Sequence, residues 1–152
     1  MADPIATASR SWLLILALQA QLSTITVANG YLTDAGSNVW TTDHQRTDAL
    51  GLMIYSEPIL GPGLDNERPG KPVRIFSLLV EGSLSTSLDD AQQQIHALIE
   101  DVENCIAAYG QGKVKLPPGA GSVHVADIAI LDRPEGAAEV AMQARIIVRY
   151  FR

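Results

Sequence analysis

Three histidines, one cysteine and a few adjacent carboxylates are the residues from which this chain could build chemistry. His44, His96 and His124 would act as general bases or metal ligands if the fold made them converge. By local pattern they fall in a loop, on the polar side of a helix and in a strand. Neither an HExxH run nor paired-cysteine spacing offers a metal site. His96 and Glu100 lie four apart on one helical face, a spacing that suits a weak surface contact better than a ligand pair. Cys105, the only thiol, falls inside an apolar stripe and reads as a small core residue rather than a nucleophile. It has no partner for an intrachain disulfide. The pairs Asp89/Asp90 and Glu100/Asp101 sit at a helix start and on a charged face, where capping and solvation account for them. Gly61-Pro62-Gly63 and Gly119-Ala120-Gly121 lack the strand-to-helix context of a phosphate-binding turn, and no GxxxxGK[ST] or GxSxG run occurs. The expectation is a protein that is not an enzyme, with no catalytic residue, no metal and no cofactor. A site assembled from scattered residues would leave no such motif.

The chain has 152 residues, 47% of them hydrophobic, which suits one globular domain over residues 1–152 with a core of its own. A net charge of −6 argues against gripping nucleic acid by its phosphates. No internal repeat, low-complexity tract or linker divides the chain.

The clearest element is a helix over residues 88–109. Leu88, Ala91, Ile95, Leu98, Val102, Cys105 and Tyr109 recur at spacings of three and four, and Ile99 and Ile106 widen the stripe. Ser87 is placed to cap it, and Gly110 to end it in the left-handed conformation. Its other face carries Gln92, Gln93, His96, Glu100, Asp101 and Glu103, with no Lys or Arg. A first helix over residues 9–25, capped by Ser9 or Ser11, uses Trp12, Ile15, Leu18, Leu22 and Ile25. Its apolar run is too short to span a bilayer, and a cleaved secretory segment is the alternative.

Short runs at 39–41, 50–56, 73–83, 123–131 and 140–150 read as strands, separated by turn-rich stretches at 27–36, 42–48, 61–72, 111–122 and 133–136. The run from Val73 is apolar on both faces, which points to a central or doubly covered strand. The last run alternates cleanly. Val140, Met142, Ala144, Ile146, Val148 and Tyr150 face one way. Arg145, Ile147, Arg149 and Phe151 face the other. The predicted fold is α+β: an antiparallel-dominated sheet of four to five strands with two long helices packed on one face.

Residues 22–40 read LSTITVANGYLTDAGSNVW. This stretch, with Ile25–Tyr31, then Thr33-Asp34-Ala35-Gly36 and a strand holding Val39, resembles the N-terminal signature of a phage tail terminator family. These are the small tail-completion proteins similar to the lambda-type minor tail protein U. The close likeness covers about a fifth of the chain, and the remainder agrees in layout. The resemblance implies a non-enzymatic virion protein, assembled in the host cytoplasm. It would form a ring, typically hexameric, that caps the tail tube and ends its polymerisation. Its partners would be copies of itself, the tail tube protein and the head–tail connector proteins. DNA would only pass through the channel, and no membrane is involved.

A closed ring repeats one contact between two unlike patches. The candidates for the subunit interface are Arg145, Ile147, Arg149 and Phe151 on the last strand against Glu100, Asp101 and Glu103 on the long helix. Leu64, Asp65, Asn66, Glu67 and Arg68, in a stretch that is long for the family, are candidates for an assembly loop. The competing readings are a neck or head-completion protein of the same particle, and a small ligand-binding α+β domain with a polar-lined pocket.

Overall fold

A computed structural model describes residues 9–42, 50–60, 73–85, 90–131 and 139–151. Two α-helices, α1 (Arg10–Leu22) and α2 (Ala91–Gly110), accompany one five-stranded sheet. Its strands are β1 (Val39–Trp40), β2 (Leu52–Leu60), β3 (Val73–Ser85), β4 (Ala120–Ile130) and β5 (Glu139–Phe151). The spatial order is β1-β2-β3-β5-β4, antiparallel throughout except for the short parallel pair of β1 with β2. The fold is therefore α+β, as the sequence predicts. Among the described residues no helix is long and apolar enough to cross a membrane.

The middle of the sheet is its most regular part. β3 and β5 pair without a break from Val73↔Phe151 to Ser85↔Glu139. Their even-numbered residues, Phe76, Leu78, Val80, Met142, Ala144 and Ile146, are all buried on one face. The period of two along a strand puts them there. Both helices bury their stripes against this same face: Leu14, Ile15, Leu18 and Leu22 from α1, and Ile95, Leu98, Val102, Cys105, Ile106 and Tyr109 from α2. Phe76 and Tyr150 meet edge to face at 6.5 Å within that core.

Several local expectations shift. The N-cap of α1 is Ser9, whose hydroxyl accepts from the Trp12 N–H at 3.2 Å. Trp12 is 41% exposed, and Leu14 takes its expected place in the core. Ser87 and Leu88 lie outside the described residues. Asp90 occupies the N-cap position of α2 with no side-chain capping bond, and its carboxylate accepts from the Gln94 amide. Gly110 does not terminate α2 in the left-handed region. The chain reverses at Gly112, with φ of 72°, and the Lys113 and Val114 N–H groups reach back to the Ala108 carbonyl. β2 runs beyond Pro58, which the sequence suggests as its limit. A register shift between Ser56 and Ile59 absorbs the proline where β1 no longer pairs.

Candidate functional site

The sequence 22–40 builds a closed loop whose polar side chains bond within it and to the segments around it. Thr24 donates its hydroxyl to the Gln21 carbonyl at 2.7 Å as α1 ends. The Asn29 amide donates to the Thr24 carbonyl, and the Val27 N–H donates to the Asp34 carboxylate, both at 2.9 Å. Gly30 turns the chain at φ of 93°, a conformation that carries little strain only for glycine. Gly36 then passes so close to the end of α1 that a Cβ on it would sit 2.6 Å from the Leu22 carbonyl oxygen and 2.7 Å from the Ile25 backbone. The obstacle is main chain, which cannot rotate away. Gly36→Ala is expected to cost about 2–3 kcal/mol, read as a lowered urea midpoint. An unchanged midpoint would mean that the loop is looser than described.

Asp101 anchors this loop. Its carboxylate is 1% exposed and accepts three bonds: from the Leu32 N–H at 2.9 Å, the Thr33 N–H at 2.8 Å and the Thr33 hydroxyl at 2.7 Å. The helical wheel places Asp101 on the solvated acidic face, and the structure removes it from there. The loop folds over that flank of α2 and brings two backbone donors that need an acceptor. Asp101 is three residues after Leu98 and four before Cys105. That position at the stripe's margin is the one sequence signal of its role. The turn thus fixes α1 to α2 as well as leading to the sheet.

Beside it, Cys105 donates its thiol to the Gln21 carbonyl at 3.2 Å, and Gln21 returns its amide to the Cys105 carbonyl at 3.0 Å. Burial pushes the thiol above its ordinary range, against the lowering effect of hydrogen bonds from Thr24, Tyr31 and Gln21. A protonated, buried thiol is a packing group, not a nucleophile. Burial likewise pushes the Tyr109 hydroxyl from 10.0 up to about 12, with the nearby Cys105 adding to it. The folded state then keeps a proton that the unfolded chain has lost. Stability should be unaffected by Tyr109 below about pH 10. It should fall between pH 10 and 12 by up to about 1.4 kcal/mol per unit. Urea midpoints across that range are expected to decline less steeply in Tyr109→Phe, and identical slopes would contradict the assignment.

Two clefts border α2. One of about 480 Å³ lies between the loop and α2 and is lined by Asn29, Tyr31, Glu100, Asn104, Gln111 and Lys113. Another of about 580 Å³ is largely apolar, with Ala17, Ala20, Val114, Leu116 and Pro117 around Tyr109. Among the described residues no group of three or more His, Cys, Asp or Glu side chains is placed to hold a metal ion.

On the opposite face of the sheet no described helix packs. There Arg145 lies between Leu79 and Asp127 in register, Ile147 between Ser77 and His124, and Arg149 between Ile75 and Ser122, while Phe151 pairs with Val73. Arg145 is not held ready for another molecule. It donates through Nε and Nη2 to both oxygens of Glu57, at 2.9 and 3.4 Å, and through Nη1 to Asp127 at 3.1 Å. The hydrogen bond with Glu57, then the two carboxylate charges, raise its pKa further. This cross-strand clamp depends on Glu57 at the β2 irregularity, which spacing along β5 alone does not reveal.

Arg149 and Phe151 are exposed, Ile147 is half-buried, and Glu100 and Glu103 are exposed on α2. The interface candidates therefore divide. Arg145 and Asp101 are committed within their own chain, and the remainder sit on two opposite surfaces. Leu64, Asp65, Asn66, Glu67 and Arg68 lie outside the described residues. No protein-family model matches this chain, and no curated protein matches it in sequence.

Proposed function

We propose that this chain is a structural, non-catalytic subunit of the phage tail terminator type. In this reading, copies form a ring on the end of the tail tube, stop its polymerisation and present the surface to which the head connector joins. The resemblance over residues 22–40 motivates the reading, and the loop geometry is compatible with it, since the polar residues of that stretch serve to brace α1 against α2. The observation that carries the reading furthest is the sheet face opposite the helices. Leu60 is 59% exposed there beside the half-buried Ile75, and Phe151 is 48% exposed beside the half-buried Val73, with no described helix over them. A single subunit so built has two unlike broad surfaces, the requirement of a closed head-to-tail ring. Its acidic balance also suits a channel through which DNA slides without being held.

The test is a tube-growth assay with the tail tube protein of the same particle. Added during polymerisation, the folded chain should shorten tubes in proportion to its concentration and be found at one tube end. Tubes of unchanged length, with the chain unbound, would contradict the proposal.

A further inference from the structure

We infer that the ring contact lays the helical side of one copy on the opposite sheet face of the next, with Glu100 and Glu103 of the first meeting Arg149 of the second. This inference rests on the ring reading above and names its interface. β3 carries apolar residues on both sides, yet the described helices cover only the even-numbered side, leaving Val73 and Ile75 half-buried at one end of the other. Leu60 pairs with Ile75 and Phe151 with Val73, so these four form an apolar corner with Arg149 beside Ile75. Among the described residues of this corner, Arg149 makes no ion pair with another, whereas Arg145 is clamped by Glu57 and Asp127.

The complementary surface lies on the far side of the same two-layer domain. Glu100 and Glu103 are exposed on α2, and Val27 and Leu32, on the loop that docks on α2, are each 57% exposed. Apolar groups with carboxylates on one side thus match apolar groups with a guanidinium on the other. The patches are unlike and occupy opposite faces, so the contact is heterologous and repeats from copy to copy. A single exposed ion pair would contribute too little to hold a ring. The apolar surroundings supply the attraction, and the charges set register and exclude wrong pairings.

The experiment is a charge exchange followed by native mass measurement. Arg149→Glu and, separately, Glu100→Arg with Glu103→Arg change exposed side chains and should leave circular dichroism and melting temperature near those of the parent. Each variant alone should raise the assembly midpoint concentration by at least about tenfold. Mixed one to one, each altered patch faces its opposite charge on the other variant, and an alternating ring of even number should recover the parent mass.

If both variants keep the parent ring unaltered, this contact is overturned while the ring reading stands. Monomeric variants that fail to rescue each other also overturn it, because their surfaces then meet something other than one another. A parent that is monomeric at every concentration overturns the ring reading and the contact together.

Discussion

Replacing Ile95 by Asp should unfold the domain. Ile95 is fully buried in the stripe of α2, within the cluster that joins both helices to the sheet. The change removes an aliphatic side chain worth about 2–5 kcal/mol in such a core. It also places a carboxylate inside an apolar cluster, a further cost of several kcal/mol. Domains of this size are stable by only about 5–15 kcal/mol, so the sum takes most or all of it. The expected result is loss of the cooperative thermal transition, with the variant recovered mainly in aggregates. Glu103→Ala on the exposed side of the same helix should stay within about 0.5 kcal/mol of the parent. A soluble Ile95→Asp variant with an unchanged melting temperature would remove Ile95 from the core.

Asp101→Ala should be the most damaging change of a charged residue among those described. It strands the Leu32 and Thr33 N–H groups and the Thr33 hydroxyl, three donors that now share one buried carboxylate. Hydrogen bonds to a charged acceptor contribute about 1.5–3 kcal/mol each. Part of that loss is recovered because Leu32 is exposed and its backbone can turn to water. The net cost is about 3–4 kcal/mol, or roughly 10 °C in melting temperature for a chain of this length.

Asp101→Asn keeps one oxygen but turns an amide NH₂ toward one of the donors, so it should fall between Ala and the parent. Thr33→Val removes a single bond and should cost about 1 kcal/mol. Hydrogen exchange should accelerate first in residues 26–36. Equal stability of Asp101→Ala and the parent would show that the loop does not depend on this anchor.

The contrast between Ile95 and Asp101 shows what periodicity can read. A stripe at spacings of three and four identifies the buried face of α2, and alternation along β5 identifies the buried face of the sheet, because both follow from local geometry alone. The α+β class and the shared face of the helices were legible for that reason. Asp101 and Arg145 were not. Each lies at a position that local geometry assigns to solvent, and each is claimed by a segment distant in sequence: the loop at Leu32–Thr33, and Glu57 across the sheet. The extension of β2 past Pro58 was hidden in the same way, since a bulge is visible only once the neighbouring strand fixes the register. Arg149 and Phe151 stayed where the alternation put them.

Native mass and negative-stain images of the purified chain decide whether it forms a ring. At micromolar concentration the expected result is a single species of about six times the 16.3 kDa of one chain, seen end-on as rings with an open centre. A monomer of 16.3 kDa at all concentrations, without rings, would contradict it.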